Sequence, residues 1–158
     1  MRTFIFLLLS FSIISFSACK GSKASSTSSS TETKKTKSGL VKFVQSETLS
    51  DVLDDAARQN KLVFVDFYTT WCLPCKLMDQ DVFTDKNVAK FLNDNFLSYK
   101  VNGEKGNGPN LAFVYQVQAY PTLLFMDAMG VVFEKKVGSA YQTELMEMGR
   151  RALNSQGM

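Results

Sequence analysis

Two cysteines separated by two residues, Cys72 and Cys75, are the side chains of this sequence best suited to chemistry. They follow the apolar run 62–68, whose Val, Phe and Tyr residues predict a buried strand, and they precede the segment 76–80, which predicts the first turn of a helix. At such a junction, free backbone N–H groups and the positive end of the helix dipole stabilise a thiolate. The spacing therefore predicts dithiol/disulfide exchange.

Other uses of a Cys-x-x-Cys pair fit the sequence less well. A structural zinc site needs four ligands, whereas the chain has no histidine and only one further cysteine, Cys19, so the zinc alternative left open is a site shared between two chains. A structural disulfide across two residues closes too small a loop to restrain the unfolded chain much. We therefore expect no metal and no organic cofactor, with the Cys72–Cys75 disulfide as the reactive group.

Charge is distributed unevenly along the 158 residues. Residues 1–38 carry six basic residues and one acidic residue, a net charge of +5, whereas residues 39–158 carry 12 basic and 14 acidic residues, a net charge of −2. The second segment is nearly neutral, which argues against nucleic acid as a partner. With 45% hydrophobic residues overall, the chain has room for one ordinary core.

The N-terminal segment predicts a secretory signal of the lipoprotein type. Arg2 precedes an apolar run over residues 4–18, which is short for a membrane span and typical of a signal peptide. The sequence Phe16-Ser17-Ala18-Cys19 resembles the bacterial lipobox, in which cleavage occurs before a lipidated cysteine. Because Phe16 departs from the usual aliphatic residue, ordinary cleavage and an uncleaved anchor stay open as alternatives.

The segment after Cys19 predicts a flexible tether, because its Ser, Thr and Lys residues cannot bury enough apolar surface to offset ordering. The predicted organisation is a signal peptide at 1–18, a lipidated cysteine and tether at 19–38, and a folded domain at 39–158. The last of these alternates between strand and helix patterns. Predicted strands are 41–44, 62–68, 96–101, 122–126 and 131–135. Predicted helices are 48–60 with Thr48 as N-cap, the segment after Cys75, a stretch capped by Asp85, 110–117 and 143–153.

Five short motifs accompany this order of elements. They are Val65-Asp66-Phe67, Trp71-Cys72-Leu73-Pro74-Cys75-Lys76, Lys100-Val101-Asn102, Tyr120-Pro121-Thr122-Leu123-Leu124-Phe125 and Val137-Gly138. With the order of elements, they resemble the thioredoxin superfamily over about residues 40–155. The resemblance implies an α/β thioredoxin fold, with a central mixed sheet flanked by helices. The segment from Met78 to Asp85 is similar to the C-terminal periplasmic domain of DsbD-type thiol:disulfide interchange proteins and to small exported thioredoxin-like proteins.

The resemblance implies a catalytic role for four residues. Cys72 would be the nucleophile and Cys75 the buried resolving thiol. Asp66 matches the buried acid that handles the proton of the second cysteine, and Lys100 matches its lysine partner. From the residues alone, Asp66 is either such an acid, with a pKa raised by burial, or an ordinary strand residue on a solvated face.

The resemblance also implies a substrate surface around the cysteines. Pro121 matches the cis-proline of the family, and the backbone of Tyr120 would meet an extended substrate chain. Trp71, Leu73 and Pro74 would surround the site. A lone tryptophan is also often a core residue, so Trp71 has two open interpretations.

Departures from the thioredoxin pattern affect the expected direction of electron transfer and the expected substrate surface. Leu73 and Tyr120 replace a glycine and an isoleucine, and the proline of the active-site helix is missing near Gln80. Histidine in the motif is typical of oxidising and isomerase relatives, and Leu73-Pro74 contains none, which favours a reductant. We therefore predict a monomeric, membrane-tethered reductase of exported proteins in the bacterial cell envelope, supplied with electrons by a DsbD-like partner. An oxidase or isomerase, and a binding module without turnover, are the alternatives.

Overall fold

The protein is described by a computed structural model that covers residues 40–157. The predicted signal peptide at 1–18, Cys19 and the tether at 19–38 lie outside the described residues, and they stay predictions. The elements are β1 (Phe43–Val44), α1 (Leu49–Gln59), β2 (Leu62–Tyr68), α2 (Leu73–Leu77), a π-helical segment (Met78–Val82), α3 (Lys86–Asn95), β3 (Phe96–Asn102), α4 (Gly108–Val114), β4 (Thr122–Met126), β5 (Val132–Val137) and α5 (Gln142–Gln156).

The five strands form one mixed sheet in the order β1-β3-β2-β4-β5. Strands β1 and β2 run parallel to β3, whereas β4 runs antiparallel to both β2 and β5. The central position of β2 explains its nearly continuous apolar sequence, because both of its faces are covered. The predicted central mixed sheet flanked by helices is confirmed.

Alternation along β2 separates two parts of the core. Leu62 and Phe64 point into the cluster built with the π-helical segment, α3 and α5. Val63 and Val65 point into the cluster built with α1 and α4. Asp66 belongs by alternation to the first face, and its register partners are Lys100 on β3 and Leu123 on β4.

Two predicted helix caps are confirmed. The Thr48 hydroxyl accepts a hydrogen bond from the Asp51 N–H, 3.2 Å away, at the start of α1. An Asp85 carboxylate oxygen accepts hydrogen bonds from the N–H groups of Asn87 and Val88, which begins α3. Both caps satisfy backbone donors that an α-helix leaves without partners in its first turn.

The active-site helix departs from the prediction. It begins at Leu73 instead of residue 76, because the Cys72 side chain is its N-cap and Pro74 fits the first turn, where its missing N–H costs nothing. It then widens into the π-helical segment, in which the Phe83 N–H donates to the Met78 carbonyl at 2.9 Å.

Other predicted bounds shift by a few residues. Strand β1 is shorter than predicted, β5 runs over Val132–Val137 with an irregularity opposite Phe125/Met126, and α5 extends to Gln156. Helix α4 starts before Pro109 and ends before Gln116, whose positive φ of 51° turns the chain out of the helix. Within residues 40–157, no helix combines the length and the apolar composition that a membrane crossing requires.

Candidate redox site

Cys72 and Cys75 are joined by a disulfide at the start of α2, with their Cα atoms 5.4 Å apart. The Cys72 Sγ atom accepts a hydrogen bond from the Cys75 backbone N–H at 3.1 Å, as an N-cap side chain does. Both residues are only 2% exposed, so exposure does not distinguish them. The difference lies in the backbone: Cys72 sits where a helix N-terminus stabilises negative charge on sulfur.

The Asp66 carboxyl group is 1% exposed, beneath this end of the sheet. Burial raises its pKa from 3.8 to about 6, because water no longer stabilises the ionised form. The positive charge of Lys100 opposes this shift, and the carboxylate of Asp79 adds to it. The alternative in which Asp66 lies on a solvated face is therefore wrong.

The Lys100 ammonium stands between two carboxylates. Its Nζ atom lies 3.0 Å from Asp66 Oδ2 and donates a hydrogen bond to Asp79 Oδ1. Neither carboxylate oxygen of Asp66 receives a well-directed hydrogen bond from the part of the chain that the structure describes. Burial lowers the pKa of Lys100, but the two carboxylates outweigh it, and the pKa ends above its ordinary value.

Three aromatic rings complete the surroundings of Lys100. Its Nζ atom lies 5.1 Å from the ring centroid of Phe43, 4.9 Å from that of Tyr68 and 5.2 Å from that of Phe83. Rings at these distances attract a cation through their negative faces. These contacts help to hold a largely buried ammonium in one place.

Asp79 and Glu104 were missed by the sequence analysis. For Asp79 a signal existed, since a residue four positions after Cys75 lies on the same face of a helix. The contact of Asp79 with Lys100 joins a helix to a strand 21 residues later, and no local pattern reveals it. No comparable signal pointed to Glu104, which lies in the glycine-rich loop between β3 and α4.

Of the five residues of the predicted substrate surface, Trp71, Leu73 and Pro74 are exposed, whereas Tyr120 is half-buried and Pro121 is buried. Trp71 and Leu73 are each 65% exposed, so the interpretation of Trp71 as a core residue is wrong. The indole Nε1 of Trp71 donates to both carboxylate oxygens of Glu104 at 3.0 Å, and the indole ring meets the Tyr120 ring edge-on, 6.2 Å between centroids.

Tyr120 and Pro121 lie at the same end of the sheet. Their peptide bond is cis, as the resemblance implied. The Pro121 carbonyl accepts a hydrogen bond from the Gly138 N–H at 2.8 Å, which ties the start of β4 to the end of β5. Gly103 lies close to Tyr120: a Cβ atom there would be 2.1 Å from the tyrosine hydroxyl oxygen, so the ring would have to move if a larger residue replaced the glycine.

The structure brings Asp66 and Lys100 together on β2 and β3, and Asp79 connects Lys100 to the helical segment that follows the Cys72–Cys75 disulfide. The catalytic roles that the resemblance implies for these residues stay predictions. The predicted lipidation residue, Cys19, is outside the described residues. Residues 40–157 contain no group of three or more His, Cys, Asp or Glu side chains arranged to hold a metal ion. The expectation that no metal or organic cofactor is needed stays a prediction.

Residues 44–128 match the family model described as thioredoxin-like, which is more than half of the chain. The chain belongs to the thioredoxin-like family. The resemblance drawn from the sequence is confirmed. The chain is 35% identical to the chloroplastic thioredoxin Y2 of Arabidopsis thaliana over 108 residues, which are 68% of this chain and 60% of that protein.

Two further relatives differ in how much of them the chain covers. The thiol:disulfide interchange protein DsbD of a Pseudomonas strain is 34% identical over 80 residues, 50% of this chain but only 14% of DsbD. A solution structure from Bacteroides thetaiotaomicron, named as a candidate disulphide-isomerase, is 37% identical with a TM-score of 0.66, and the match covers 75% of this chain and 97% of that one. The chain thus spans less than two thirds of the first two relatives.

Proposed function

We propose that this protein is a membrane-tethered thiol–disulfide oxidoreductase that reduces disulfides of exported proteins. The observation that carries the proposal is the Cys72–Cys75 disulfide at the N-terminus of α2, together with the buried Asp66 carboxyl and Lys100. A disulfide that served only to stabilise the fold would not require a buried acid with a raised pKa. The thioredoxin and DsbD relatives support the same chemistry.

In the proposed reaction, the Cys72 thiolate attacks one sulfur of the substrate disulfide and releases the other as a thiolate, which takes up a proton. Cys75 then loses its proton and attacks the Cys72 sulfur of the mixed disulfide. The second substrate thiolate leaves, and the Cys72–Cys75 disulfide closes. The substrate gains two electrons and the protein loses two.

Asp66 has the properties that the second step needs. With a pKa of about 6, its carboxyl group can take up or release a proton near neutrality, which an ordinary carboxylate with a pKa of 3.8 does much less readily. Lys100 lies 3.0 Å from Asp66 and moderates that pKa. We propose these two residues, with the cysteines, as the reactive set.

The exposed rim supplies a surface for the substrate. Trp71, Leu73 and Pro74 surround the disulfide with apolar groups, and the backbone of Tyr120 beside Pro121 offers hydrogen-bonding groups to an extended chain. Apolar contact and backbone pairing suit polypeptides of varied sequence. The proposed substrates are therefore disulfide-containing proteins.

The proposed location is the bacterial cell envelope, with lipid on Cys19 and residues 19–38 as the tether. An exported reductase has no cytosolic hydride source, so a membrane partner must return two electrons after each turnover. The similarity to DsbD supports a donor of that kind. Mass spectrometry of the mature protein from the membrane fraction tests the location, and an unmodified N-terminus at or beyond Lys20 would overturn it.

A disulfide isomerase is the second candidate, because the Bacteroides relative is named as a candidate disulphide-isomerase. The two candidates differ in the equilibrium potential of the Cys72/Cys75 couple against glutathione. A reductase is expected near the roughly −270 mV of thioredoxin, and an isomerase near roughly −180 mV. A potential near that of thioredoxin also predicts that the protein corrects few of the mispaired disulfides in a scrambled substrate.

The experiment that tests the chemistry compares two single variants. Cys75→Ser should accumulate covalent complexes with substrate proteins, because attack through Cys72 proceeds but resolution does not. Cys72→Ser should accumulate none, and the double variant is the matched control. Non-reducing gels after acid quenching measure the complexes. Equal accumulation by both single variants would overturn the assignment, and the absence of complexes with any variant would favour a binding module.

A further inference from the structure

We propose that Asp79 is a positioning residue of the redox site, which holds the Lys100 ammonium by a hydrogen bond and so keeps it from fully neutralising the buried Asp66 carboxylate. This inference rests on the proposed function, in which Asp66 exchanges the proton of Cys75. It assigns a role to a side chain outside the reactive set. Asp79 acts on Asp66 through its hydrogen bond with Lys100 and through its own negative charge.

A single ammonium, that of Lys100, serves both carboxylates. Its Nζ atom donates a hydrogen bond to Asp79 and lies 3.0 Å from Asp66 Oδ2. A hydrogen bond to an ionised group stabilises the charged form, and its loss favours the protonated form. Asp79 therefore competes with Asp66 for the same ammonium.

Exposure decides which carboxylate keeps its charge. When all three groups are ionised, Asp66, Asp79 and Lys100 carry a net charge of −1, so one carboxylate lacks a full counter-charge. The Asp79 side chain is 48% exposed and can be stabilised by water, whereas that of Asp66 is 1% exposed and cannot. A proton that binds to this set of three side chains is therefore expected on Asp66.

The π-helical segment positions both helix-borne contacts of Lys100. Asp79 lies one turn after Cys75, and Phe83, whose ring is 5.2 Å from the ammonium, follows the segment as its C-cap. A π-helical turn within an α-helix is uncommon and is frequent at functional sites. Here it stands directly after the helix that carries the disulfide.

Other charged groups do not take over the role of Asp79. The charges that act on Asp66 within residues 40–157 are Lys100 on β3 and Asp79 on the π-helical segment. The neighbouring strands contribute Leu123 from β4 and Phe43 from β1, which are uncharged. The remaining titratable groups at the site are the phenol of Tyr68, whose ring packs on Lys100, and the Cys75 thiol once the disulfide is reduced.

The test is the titration of Asp66 in Asp79→Asn. Removal of the Asp79 charge frees Lys100 for Asp66 and removes a like charge, so both effects lower the pKa of Asp66. We expect a fall of about half a unit or more from its value near 6. Carboxyl 13C chemical shifts, measured against pH in the oxidised protein, report this without turnover. The acid limb of the pH profile for disulfide reduction should move by the same amount.

Two variants serve as controls. Asp81→Asn removes a charge from the same π-helical segment, but Asp81 forms no ion pair with Lys100, so the titration of Asp66 should stay where it is. Asp79→Glu keeps the carboxylate and should restore a value near that of the natural protein. Asp79→Ser provides the same test if Asp79→Asn does not fold.

The outcomes separate this inference from the proposed function. An unchanged Asp66 titration in Asp79→Asn, in a protein that still reduces disulfides, overturns the role of Asp79 and leaves the function standing. If the natural protein exchanges no disulfides, the proposed function is overturned. A shifted Asp66 titration in Asp79→Asn would still support the coupling between the carboxylates. If the pKa of Asp66 shifts equally in Asp79→Asn and Asp81→Asn, any nearby negative charge has the same effect. That result also overturns the role of Asp79.

Discussion

The two faces of β2 are equally buried but differ in charge. Toward α1 and α4, Val63, Val65 and Phe67 are 0% exposed and wholly apolar. Toward the π-helical segment, Phe64 packs on Phe125 with ring centroids 4.9 Å apart, and the next residue on that face is Asp66, 1% exposed. Burial of a carboxylate is costly unless a cation accompanies it. On the second face Lys100, whose Nζ atom lies 3.0 Å from Asp66 Oδ2, is that cation.

The difference between the two faces shows that a buried carboxylate is tolerated because of the charged side chains around it, and not because of the strand that carries it. Both faces use the same strand geometry and similar apolar packing. On the charged face, β3 supplies an ammonium opposite Asp66, and the helix after the disulfide supplies Asp79. The residual cost that these partners do not remove is visible as the raised pKa of Asp66.

The largest expected effect comes from a carboxylate on the uncharged face. Val65→Asp should lower the free energy of unfolding at pH 7 by about 4 kcal/mol or more, because Val65 is fully buried among apolar side chains. Denaturant unfolding measures this. The loss should shrink at acid pH, where the new carboxyl group is protonated. A loss below about 1 kcal/mol would mean that the two faces tolerate charge equally.

The next largest effect has the opposite sign. Asp66→Asn should raise the free energy of unfolding at pH 7 by up to about 3 kcal/mol, the equivalent of the shift from 3.8 to about 6. Since the pKa of Asp66 is raised in the folded state, its ionisation destabilises the fold. The stability that the protein has while the Asp66 carboxyl group is protonated is fully present below about pH 3.8, and it is lost as the pH rises through about 6.

The pH dependence of Asp66→Asn is the sharper measurement. The free energy of unfolding of the natural protein should fall between about pH 4 and 7, and that component should be missing in the variant. The same substitution should slow disulfide reduction, because an amide cannot take up a proton. A variant that is less stable and equally fast would give Asp66 an ordinary structural role.

A third prediction concerns the cation. Lys100→Met should raise the pKa of Asp66 above its value near 6 by at least about one unit, because the opposing positive charge is lost. This is the reverse of the shift expected for Asp79→Asn. Carboxyl 13C titration measures both. Shifts in the same direction would show that Lys100 and Asp79 do not act on Asp66 in opposite senses.

The sequence was informative where local chemistry decides the structure. The caps at Thr48 and Asp85, the strand 62–68 and the strand 122–126 follow from residue types and spacing alone. The start of α2 was placed three residues late, because a cysteine is not a usual N-cap residue. The π-helical turn depends on packing between distant elements, and no local pattern indicated it.

The site was predictable only in part, for the same reason. The Cys72–Cys75 pair could be read directly from its spacing, whereas the cis bond before Pro121 and the partnership of Asp66 with Lys100 came from the resemblance to thioredoxins. Asp79 was missed because its contact is set by how the π-helical segment lies across the sheet. Ion pairs between a helix and a strand have no fixed spacing in sequence.

The smallest expected effect concerns a charged hydrogen bond at the exposed surface, in contrast to the buried contacts of Lys100. Trp71 donates to the Glu104 carboxylate at 3.0 Å, a charged hydrogen bond like those of Lys100, but both partners are exposed. Water competes for such a group, so the hydrogen bond contributes little to stability. Glu104→Gln should therefore change the free energy of unfolding by about 0.5 kcal/mol or less.

The same variant should leave a mark on Trp71. Its indole lies edge-on to Tyr120 at the rim of the site, and loss of the negative charge beside Nε1 should shift its fluorescence in the folded protein. As Trp71 is the single tryptophan, the signal is unambiguous. A destabilisation of about 2 kcal/mol or more would contradict the comparison, since exposed and buried charged contacts would then matter equally to the fold.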